Sequence, residues 1–297
     1  MKKNKYILLF FIIVFIISTV TISYYSIEYF TESENNDEPV TKNDQVTNNN
    51  DTVSYKYSLS ILVICKNEEM VIDEFVKHYK WQGVEHIYLI DNGSTDNMIV
   101  VLAPYIIDGY ISYFSLPEQH KQVHHYNTIY NIIRNDTKWL ILCDSDEYIY
   151  NTTPGETIVS YLKNINHDIC LITLPWKMFG SSGHIDQPQE IRKSFTWRKL
   201  DLHPLQKCIV QTKNILSLGV HDHICVENTN IINNPHELSL NHYAIMSEEY
   251  FKKVKITRGD VVFSDSHFQT LRDMNYFNAY DYKEIHDDQL KNLLSQE

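Results

Sequence analysis

The chain has 297 residues, of which 43% are hydrophobic and 22% charged, a composition typical of a globular protein rather than a disordered or fibrous one. Its formal net charge is −12, whereas proteins that bind nucleic acid through the phosphates usually carry the opposite sign. We therefore expect no nucleic-acid partner. The length is sufficient for one sizeable hydrophobic core.

The N-terminal segment predicts a membrane anchor. Residues 6–27 contain no charged side chain, and about 20 apolar residues in a helix cross the hydrocarbon core. Lysines precede this run and glutamates follow it, so residues 1–5 are expected in the cytosol and the rest in an ER- or Golgi-like lumen or outside the cell. The prediction is a single-pass type II membrane protein with a signal anchor. The alternative is a cleaved signal peptide, which also exports the domain.

Residues 28–58 are polar and poor in aliphatic side chains, which predicts a flexible stem before a folded domain at 59–297. In that domain, apolar runs predict strands at 59–65, 86–90, 111–114 and 139–143, alternating with helices at 68–81, 95–103 and 120–134. Pro104 is expected to end the second helix. This alternation indicates an α/β fold of Rossmann-like type, with a mostly parallel sheet and helices on both faces.

Beyond residue 150 we expect a helix at 156–163, a strand at 169–174 and a helical region from 247. Of the five cysteines, Cys65, Cys143 and Cys170 lie in apolar runs and are expected as buried thiols. Cys208 and Cys225 are able to pair in an oxidising lumen.

Polar groups follow three of the predicted strands: Lys66-Asn67-Glu68, Asp91-Asn92-Gly93-Ser94 and Asp144-Ser145-Asp146. Parallel strands bind ligands at their carboxyl ends, so the three groups should meet at one edge of the sheet. Two carboxylates one residue apart suit Mn²⁺ or Mg²⁺, which retain open positions for phosphates. Lysine suits a phosphate, and the amide and carboxylate side chains suit a ribose or a base. Each group alone also has a plainer explanation: a polar turn for Asp144–Asp146, a capped strand-to-helix turn for Asp91–Ser94 and a solvated charge cluster for Lys66–Glu68.

Taken in order, Cys65-Lys66-Asn67-Glu68, Ile90 to Asp96 and Asp144-Ser145-Asp146-Glu147-Tyr148 resemble the family 2-like and family 92-like glycosyltransferases. The blocks Trp176 to His184, Asn241-His242-Tyr243 and Arg258-Gly259 resemble later parts of that group. The resemblance implies a GT-A fold, a nucleotide-sugar donor (often a uridine diphosphate sugar) and Mn²⁺ held by the Asp144–Asp146 pair. It also implies type II topology in many members.

Carried over to this chain, the resemblance places Asp91 by the base, and Asp144 and Asp146 at the ribose and metal. A histidine from the C-terminal half often completes the metal site, and His242 is the first choice, with His221 second. Inversion at the sugar rests on the resemblance alone. An inverting transfer needs a general base near the acceptor hydroxyl. The base candidates, which the sequence does not separate, are Glu147, His184, Asp186 and Glu190.

We therefore predict a metal-dependent enzyme that transfers a sugar to a hydroxyl of a glycan or protein acceptor. One rival is a metal-dependent nucleotidyltransferase, but the glycines that such enzymes carry after the first strand are missing from Lys66-Asn67-Glu68-Glu69. The other rival is a membrane-anchored glycan-binding adhesion protein on an inactive GT-A fold. The histidine spacing fits no standard zinc hydrolase.

Overall fold

A computed structural model describes residues 54–258 and 272–295. The predicted cytoplasmic tail, membrane anchor and most of the stem lie outside these residues. Among the helices of the described ranges, none is long and apolar enough to cross a membrane.

The described residues form short strands and helices around one long sheet. The strands are β1 (Tyr57–Cys65), β2 (His86–Asp91), β3 (Ile111–Ser115), β4 (Thr137–Leu142), β5 (Glu147–Asn151), β6 (Ile169–Pro175), β7 (Lys177–Met178), β8 (Trp197–Arg198), β9 (Gln206–Gln211), β10 (Ile215–Ser217), β11 (Ile224–Cys225), β12 (Asn230–Asn233), β13 (Leu238–His242) and β14 (Ile285–His286). The α-helices are α1 (Ile72–Trp81), α2 (Met98–Ile107), α3 (Gln122–Ile133), α4 (Ile158–Leu162), α5 (Ile191–Ser194), α6 (Glu248–Tyr250), α7 (Met274–Tyr280) and α8 (Gln289–Leu294). A π-helical segment, Phe251–Lys255, continues α6.

The central sheet has seven strands in the order β12-β6-β9-β4-β1-β2-β3. Strands β1 to β4 pair in parallel, as the alternating sequence pattern predicts. Strand β9 runs antiparallel to both of its neighbours, β4 and β6. The mixed α/β class with a mostly parallel sheet is thus confirmed.

Both faces of the sheet are covered, which explains the continuous apolar run of β1. Every residue from Leu59 to Cys65 is buried. Side chains that alternate along β1 enter opposite cores. Ile61 packs in the core that contains Phe75 of α1, and Leu62 packs in the core that contains Tyr130 of α3.

A smaller sheet in the order β5-β13-β7 continues from the end of β4. Strand β13 pairs antiparallel with β5, which sets His242 opposite Glu147. The hydroxyl of Tyr79 on α1 fixes β5, because it donates to the carbonyl of Glu147 at 2.8 Å and accepts from the amide of Ile149 at 3.1 Å. The end of β13 is thereby brought to the polar turn after β4.

Two helix boundaries differ from the prediction by four residues each. Helix α1 begins at Ile72 instead of residue 68, because Glu68 and its neighbours form a loop described below. Helix α2 continues through Pro104 to Ile107. Proline removes one backbone hydrogen bond, but Leu102 before it is buried in the core and Ile106 after it packs against the same core.

The disulfide joins Cys170 to Cys225, so the prediction of a buried Cys170 thiol and a possible Cys208–Cys225 pair is wrong. The two bonded Cα atoms are 5.9 Å apart, within the range that a disulfide bridges. Cys208 lies on the central strand β9 and is enclosed in the core, where it remains a free thiol.

Candidate active site

The residues Asp144 to Glu147, here called the acidic turn, connect β4 to β5. The backbone amide of Asp144 donates to Oε2 of Glu147 at 2.8 Å, and the amide of Glu147 donates to the carbonyl of Asp144 at 3.1 Å. Glu147 is fully buried, and burial raises its pKa well above the ordinary value. The turn is therefore closed on itself by the side chain of its last residue.

Asp146 is the buried carboxylate at the centre of the site. Lys255 donates from Nζ to its Oδ2, and Nε2 of His242 lies 3.5 Å from its Oδ1. Burial opposes ionisation of Asp146, but these two basic groups outweigh it and hold its pKa well below the ordinary value. Asp146 is therefore ionised at neutral pH.

His242 reaches Asp146 through the pairing of β13 with β5. The amide of Tyr243 donates to the carbonyl of Asp146 at 2.9 Å, which extends that pairing by one contact. The indole of Trp176 packs on the imidazole of His242, with ring centroids 4.4 Å apart. His221 packs on the same indole at 5.4 Å.

A second lysine, Lys207 of β9, lies under the other end of the acidic turn. Its Nζ is 3.0 Å from Oδ2 of Asp144 and 3.7 Å from Oε2 of Glu147. Burial opposes the charge of Asp144, but the ammonium of Lys207 outweighs burial and lowers the pKa of Asp144. The same attraction raises the pKa of Lys207, although its side chain is only 1% exposed.

The loops after β1 and β2 interlock beside this turn. The amide of Asn67 donates to Oγ of Ser94 at 2.9 Å, and Oδ1 of Asn67 accepts from the amide of Thr95 at 2.7 Å. Nδ2 of Asn92 donates to the carbonyls of Leu116 and Glu118. Asn67 therefore joins the loops after β1 and β2, and Asn92 joins the loop after β2 to the residues that follow β3.

Asp91 is buried at the end of β2, with its carboxylate fixed by two donors. Oδ1 accepts from the amide of Ser94 at 2.8 Å, and Oδ2 accepts from the hydroxyl of Tyr113 on β3. Burial, followed by the hydrogen bond to Asp91, raises the pKa of Tyr113. Tyr113 is thus a donor to Asp91 throughout the physiological range.

Glu68 is fully buried and both of its oxygens are occupied. Tyr250 of α6 donates its hydroxyl to Oε2 at 2.5 Å, and Arg258 donates from Nη1 to Oε1. Burial opposes the charge of Arg258, but Glu68 raises its pKa further above the ordinary value. Glu68 therefore ties the loop after β1 to the segment 248–258, which also carries Lys255.

The remaining predicted residues lie in different surroundings. Lys66 is half-buried and forms no hydrogen bond or ion pair within the described residues. His184 has Nε2 3.1 Å from the carbonyl of Ser194, and its ring packs on Phe195. Asp186 is exposed on the same loop. Across the described residues, no hydrogen bond or ion pair joins His184 or Asp186 to the acidic turn.

Comparison with known proteins gives the family. Residues 62–293 match glycosyltransferase family 92, which is more than three quarters of the chain. This chain belongs to glycosyltransferase family 92. The prediction of a glycosyltransferase from the ordered motifs is therefore confirmed at the level of the family. No curated protein matches the chain.

The family 92 chain is also similar to solved structures of low sequence identity. The S. aureus TarS 1–349 structure in complex with UDP-GlcNAc is 19% identical, with a TM-score of 0.36 over 52% of this chain and 45% of that chain. A glucosyl-3-phosphoglycerate synthase from Mycobacterium tuberculosis, in complex with Mn²⁺, UDP and glucosyl-3-phosphoglycerate, is 14% identical, with a TM-score of 0.35 over 63% and 72% of the two chains. The family 92 chain spans about half the length of the TarS 1–349 structures that it matches.

The donor set of this family 92 chain fits a divalent cation. Ligand atoms of Asp146, Glu147 and His242 all lie within 4.8 Å of one another. Oε1 of Glu147 and Nδ1 of His242 are buried without a hydrogen-bond partner in the described residues. Carboxylate oxygens with one imidazole suit Mn²⁺ or Mg²⁺. His221, the second choice from the sequence, does not join this group.

Sequence reasoning missed two basic residues of the family 92 site. Lys207 belongs to the site because it lies on β9, and the sequence pattern did not predict that strand. Lys255 lies on the helical segment after Ser247, and nothing in its neighbours indicates a buried side chain. One signal in the sequence could have indicated them. Several acidic residues were predicted at one sheet edge, and buried carboxylates need positively charged partners.

Proposed function

We propose that the protein transfers a sugar from a nucleotide-sugar donor, such as a UDP-sugar, to a hydroxyl of a glycan or protein acceptor. The domain in this proposal, residues 59–297, is of GT-A type. The observation that carries it is the meeting of Asp146, Glu147 and His242 at the carboxyl edge of the sheet, beside the loops that hold Asp91 and Lys66.

The donor would lie across this edge, with its base towards Asp91 and its diphosphate towards the acidic turn. Lys66 is unpaired within the described residues and suits a phosphate. Asn67, Glu68 and Asn92 are already bound within the protein, so they would shape the nucleotide site by holding its loops. Asp144, whose side chain is 38% exposed, is open to the donor.

Mn²⁺ or Mg²⁺ would be held by Asp146, His242 and Glu147, with Asp144 beside them. Such an ion supplies positive charge that stabilises the departing diphosphate. Lys255 already provides one positive charge at Asp146.

In the transfer, the bond from the sugar anomeric carbon to the diphosphate oxygen breaks, and a bond from that carbon to the acceptor oxygen forms. The hydroxyl proton passes to a base, and the nucleoside diphosphate leaves. Attack from the opposite face would invert the anomeric centre. Glu147 is enclosed between Lys207 and the Asp144 amide, which favours a structural or ligand role for it. His184, Asp186 and Glu190 remain the candidates for the base.

We further propose that residues 6–27 anchor the protein and that residues 28–58 connect the domain to the membrane, with the domain in a lumen or outside the cell. The Cys170–Cys225 disulfide supports this compartment, because disulfides persist in oxidising environments and are rare in the cytosol.

A thermal melt of the full-length protein in detergent tests the donor site. We expect UDP with Mn²⁺ to raise the melting temperature by about 5–10 °C at 100-fold excess over Kd. EDTA and Asp146→Asn should abolish the increase. An adhesion protein on an inactive fold would instead be stabilised by glycans and not by the nucleotide, which would contradict the proposal.

A further inference from the structure

Lys207 is a fully buried lysine that the transfer chemistry does not use. Its side chain is 1% exposed. Because lysine is almost never buried without a partner, the groups around its ammonium explain its position. The partners are Oδ2 of Asp144 at 3.0 Å and Oε2 of Glu147 at 3.7 Å. These two carboxylates stand at the first and last positions of the acidic turn.

The antiparallel direction of β9 brings Lys207 to this place. Cys208 pairs with Leu142 at the end of β4, so Lys207 lies beside the start of the acidic turn. Had β9 run parallel to β4, its first residues would lie at the opposite edge of the sheet. Strand β9, the reversed strand of the central sheet, therefore brings the ammonium of Lys207 to the carboxylates that follow β4.

The charges of the site require such a cation. Asp144, Asp146 and Glu147 place three carboxylates within a four-residue turn, and two of them are almost completely buried. Among the described residues, the ion pair of Lys255 is with Asp146 and not with the other two carboxylates. Without Lys207, the ionised Asp144 would lose its ammonium partner at 3.0 Å, and the buried Glu147 would lose the cation 3.7 Å from its Oε2.

The contacts also determine which oxygen of each carboxylate remains available. Lys207 holds Oδ2 of Asp144, a side chain that is 38% exposed. In Glu147, Oε2 faces Lys207 and the Asp144 amide, while Oε1 is left buried without a partner. Oδ2 of Asp144 and Oε2 of Glu147 are thus held by Lys207, and Oε1 of Glu147, a member of the candidate ligand group, is left for a cation.

We propose that Lys207 is a positioning residue, which holds the acidic turn in the geometry that binds the divalent cation and the donor. This proposal rests on the proposed function of the site. The ion pairs of Lys207 are with Asp144 and Glu147, so it would act on the donor and the cation through these two residues. Removing it should therefore impair ligand binding beyond any loss of stability, as removal of residues that orient metal ligands does.

The experiment compares Lys207→Met and Lys207→Arg with wild type in the full-length protein. Mn²⁺ affinity is measured by the EPR signal of free Mn²⁺, and KM for the donor and kcat are measured with a nucleotide sugar. We expect Lys207→Met to weaken Mn²⁺ binding by about 10–100-fold and to raise the donor KM, whereas Lys207→Arg retains most of the affinity. Lys213→Met, an exposed lysine after β9, is the matched control and should behave as wild type.

A double variant keeps the test decisive if Lys207→Met folds poorly. Replacing Asp144 by Asn as well removes the carboxylate that lies 3.0 Å from Lys207, so Lys207→Met/Asp144→Asn should melt higher than Lys207→Met alone, and Asp144→Asn alone completes the cycle. Melting temperatures that change additively across this cycle would overturn the proposed contact. That result is obtained with or without enzyme activity.

The outcomes separate this proposal from the proposed function. A wild-type protein that binds Mn²⁺ and turns over a donor, with Lys207→Met equal to it in Mn²⁺ affinity and KM, overturns the role of Lys207 only. A lower melting temperature with unchanged affinity and KM reduces Lys207 to a structural residue, which also overturns the proposal. A wild type that binds neither Mn²⁺ nor a donor overturns the proposed function, while the thermal cycle still decides the contact.

Discussion

Nε2 of His242 lies 3.5 Å from Oδ1 of Asp146, although His242 ends β13 and Asp146 lies in the acidic turn before β5. The pairing of β13 with β5 is the reason, since it sets His242 opposite the residue that follows Asp146. A carboxylate and an imidazole in contact at a sheet edge form the core of the proposed cation site.

His242→Gln tests that relationship. The variant retains the Asp146–Lys255 ion pair but removes the imidazole ligand, so we expect Mn²⁺ affinity to fall by at least about 10-fold with little loss of stability. Isothermal titration with Mn²⁺ measures the change. His236→Gln is the control, because that side chain is 94% exposed. Equal Mn²⁺ affinity in both variants would remove His242 from the site.

Lys255→Met should destabilise the metal-free protein. It leaves Asp146 as a buried charge without its ammonium partner, and breaking a buried pair from one side costs about 3–5 kcal/mol. Mn²⁺ should recover much of this loss, because the cation replaces the missing positive charge. Denaturant unfolding with and without Mn²⁺ measures both effects. Lys253→Met, whose ammonium belongs to an exposed pair, should change stability by less than about 1 kcal/mol.

Glu68→Gln tests the link between the loop after β1 and the segment 248–258. The variant leaves Arg258 buried beside a neutral amide, so we expect a loss of about 3–5 kcal/mol in the free energy of unfolding. Chemical denaturation measures it. Glu248→Gln, which breaks a surface pair with Lys252, serves as the comparison and should cost no more than about 1 kcal/mol. If the two variants are equally stable, the Glu68–Arg258 pair does not hold the segment.

The lowered pKa of His86 leads us to expect a loss of stability in mild acid. Burial, followed by the charge of Lys56, lowers the pKa of His86 from 6.5 to about 4, and its Nε2 lies 2.9 Å from Oγ of Ser112. Between these pH values the unfolded chain binds a proton that the folded protein does not, so stability falls as pH decreases from 6.5 towards 4. Unfolding free energies measured across this interval should change less steeply in His86→Gln. An unchanged slope would contradict the assignment.

The disulfide should stabilise the domain. It closes a loop of 55 residues between Cys170 and Cys225, for which chain entropy gives roughly 3–5 kcal/mol. We expect a reductant to lower the melting temperature of the wild type and to leave that of Cys170→Ala/Cys225→Ala unchanged. A wild-type protein whose melting temperature is insensitive to reductant, when purified from an oxidising compartment, would show that the bond does not form there.

Local sequence patterns predicted the parallel strands of the sheet and the polar groups that follow them. The runs ending at Cys65, Asp91 and Leu142 are strands, and the polar groups after them meet at one sheet edge, because hydrophobic periodicity and parallel pairing depend on adjacent residues. Helix α2 differs because tertiary packing outweighs the helix-breaking tendency of Pro104.

The counter-ions of the site were not predictable in the same way. Lys207 reaches the acidic turn through the antiparallel pairing of β9. Arg258 pairs with Glu68, although the two residues are far apart in the sequence. Such long-range pairings leave no periodic pattern around either residue. The same reason explains the disulfide, since Cys170 and Cys225 meet only after β6 and β11 are assembled.

Nucleotide-sugar turnover is the measurement that tests the central claim most directly. The full-length protein in detergent would be incubated with Mn²⁺, a panel of nucleotide sugars and glycan or glycoprotein acceptors, with release of nucleoside diphosphate as the readout. We predict release from one donor, lost with EDTA, restored by Mn²⁺, and absent in Asp146→Asn. A folded wild-type protein that releases no nucleoside diphosphate from any donor, with acceptors supplied, would contradict the claim that this site transfers sugars.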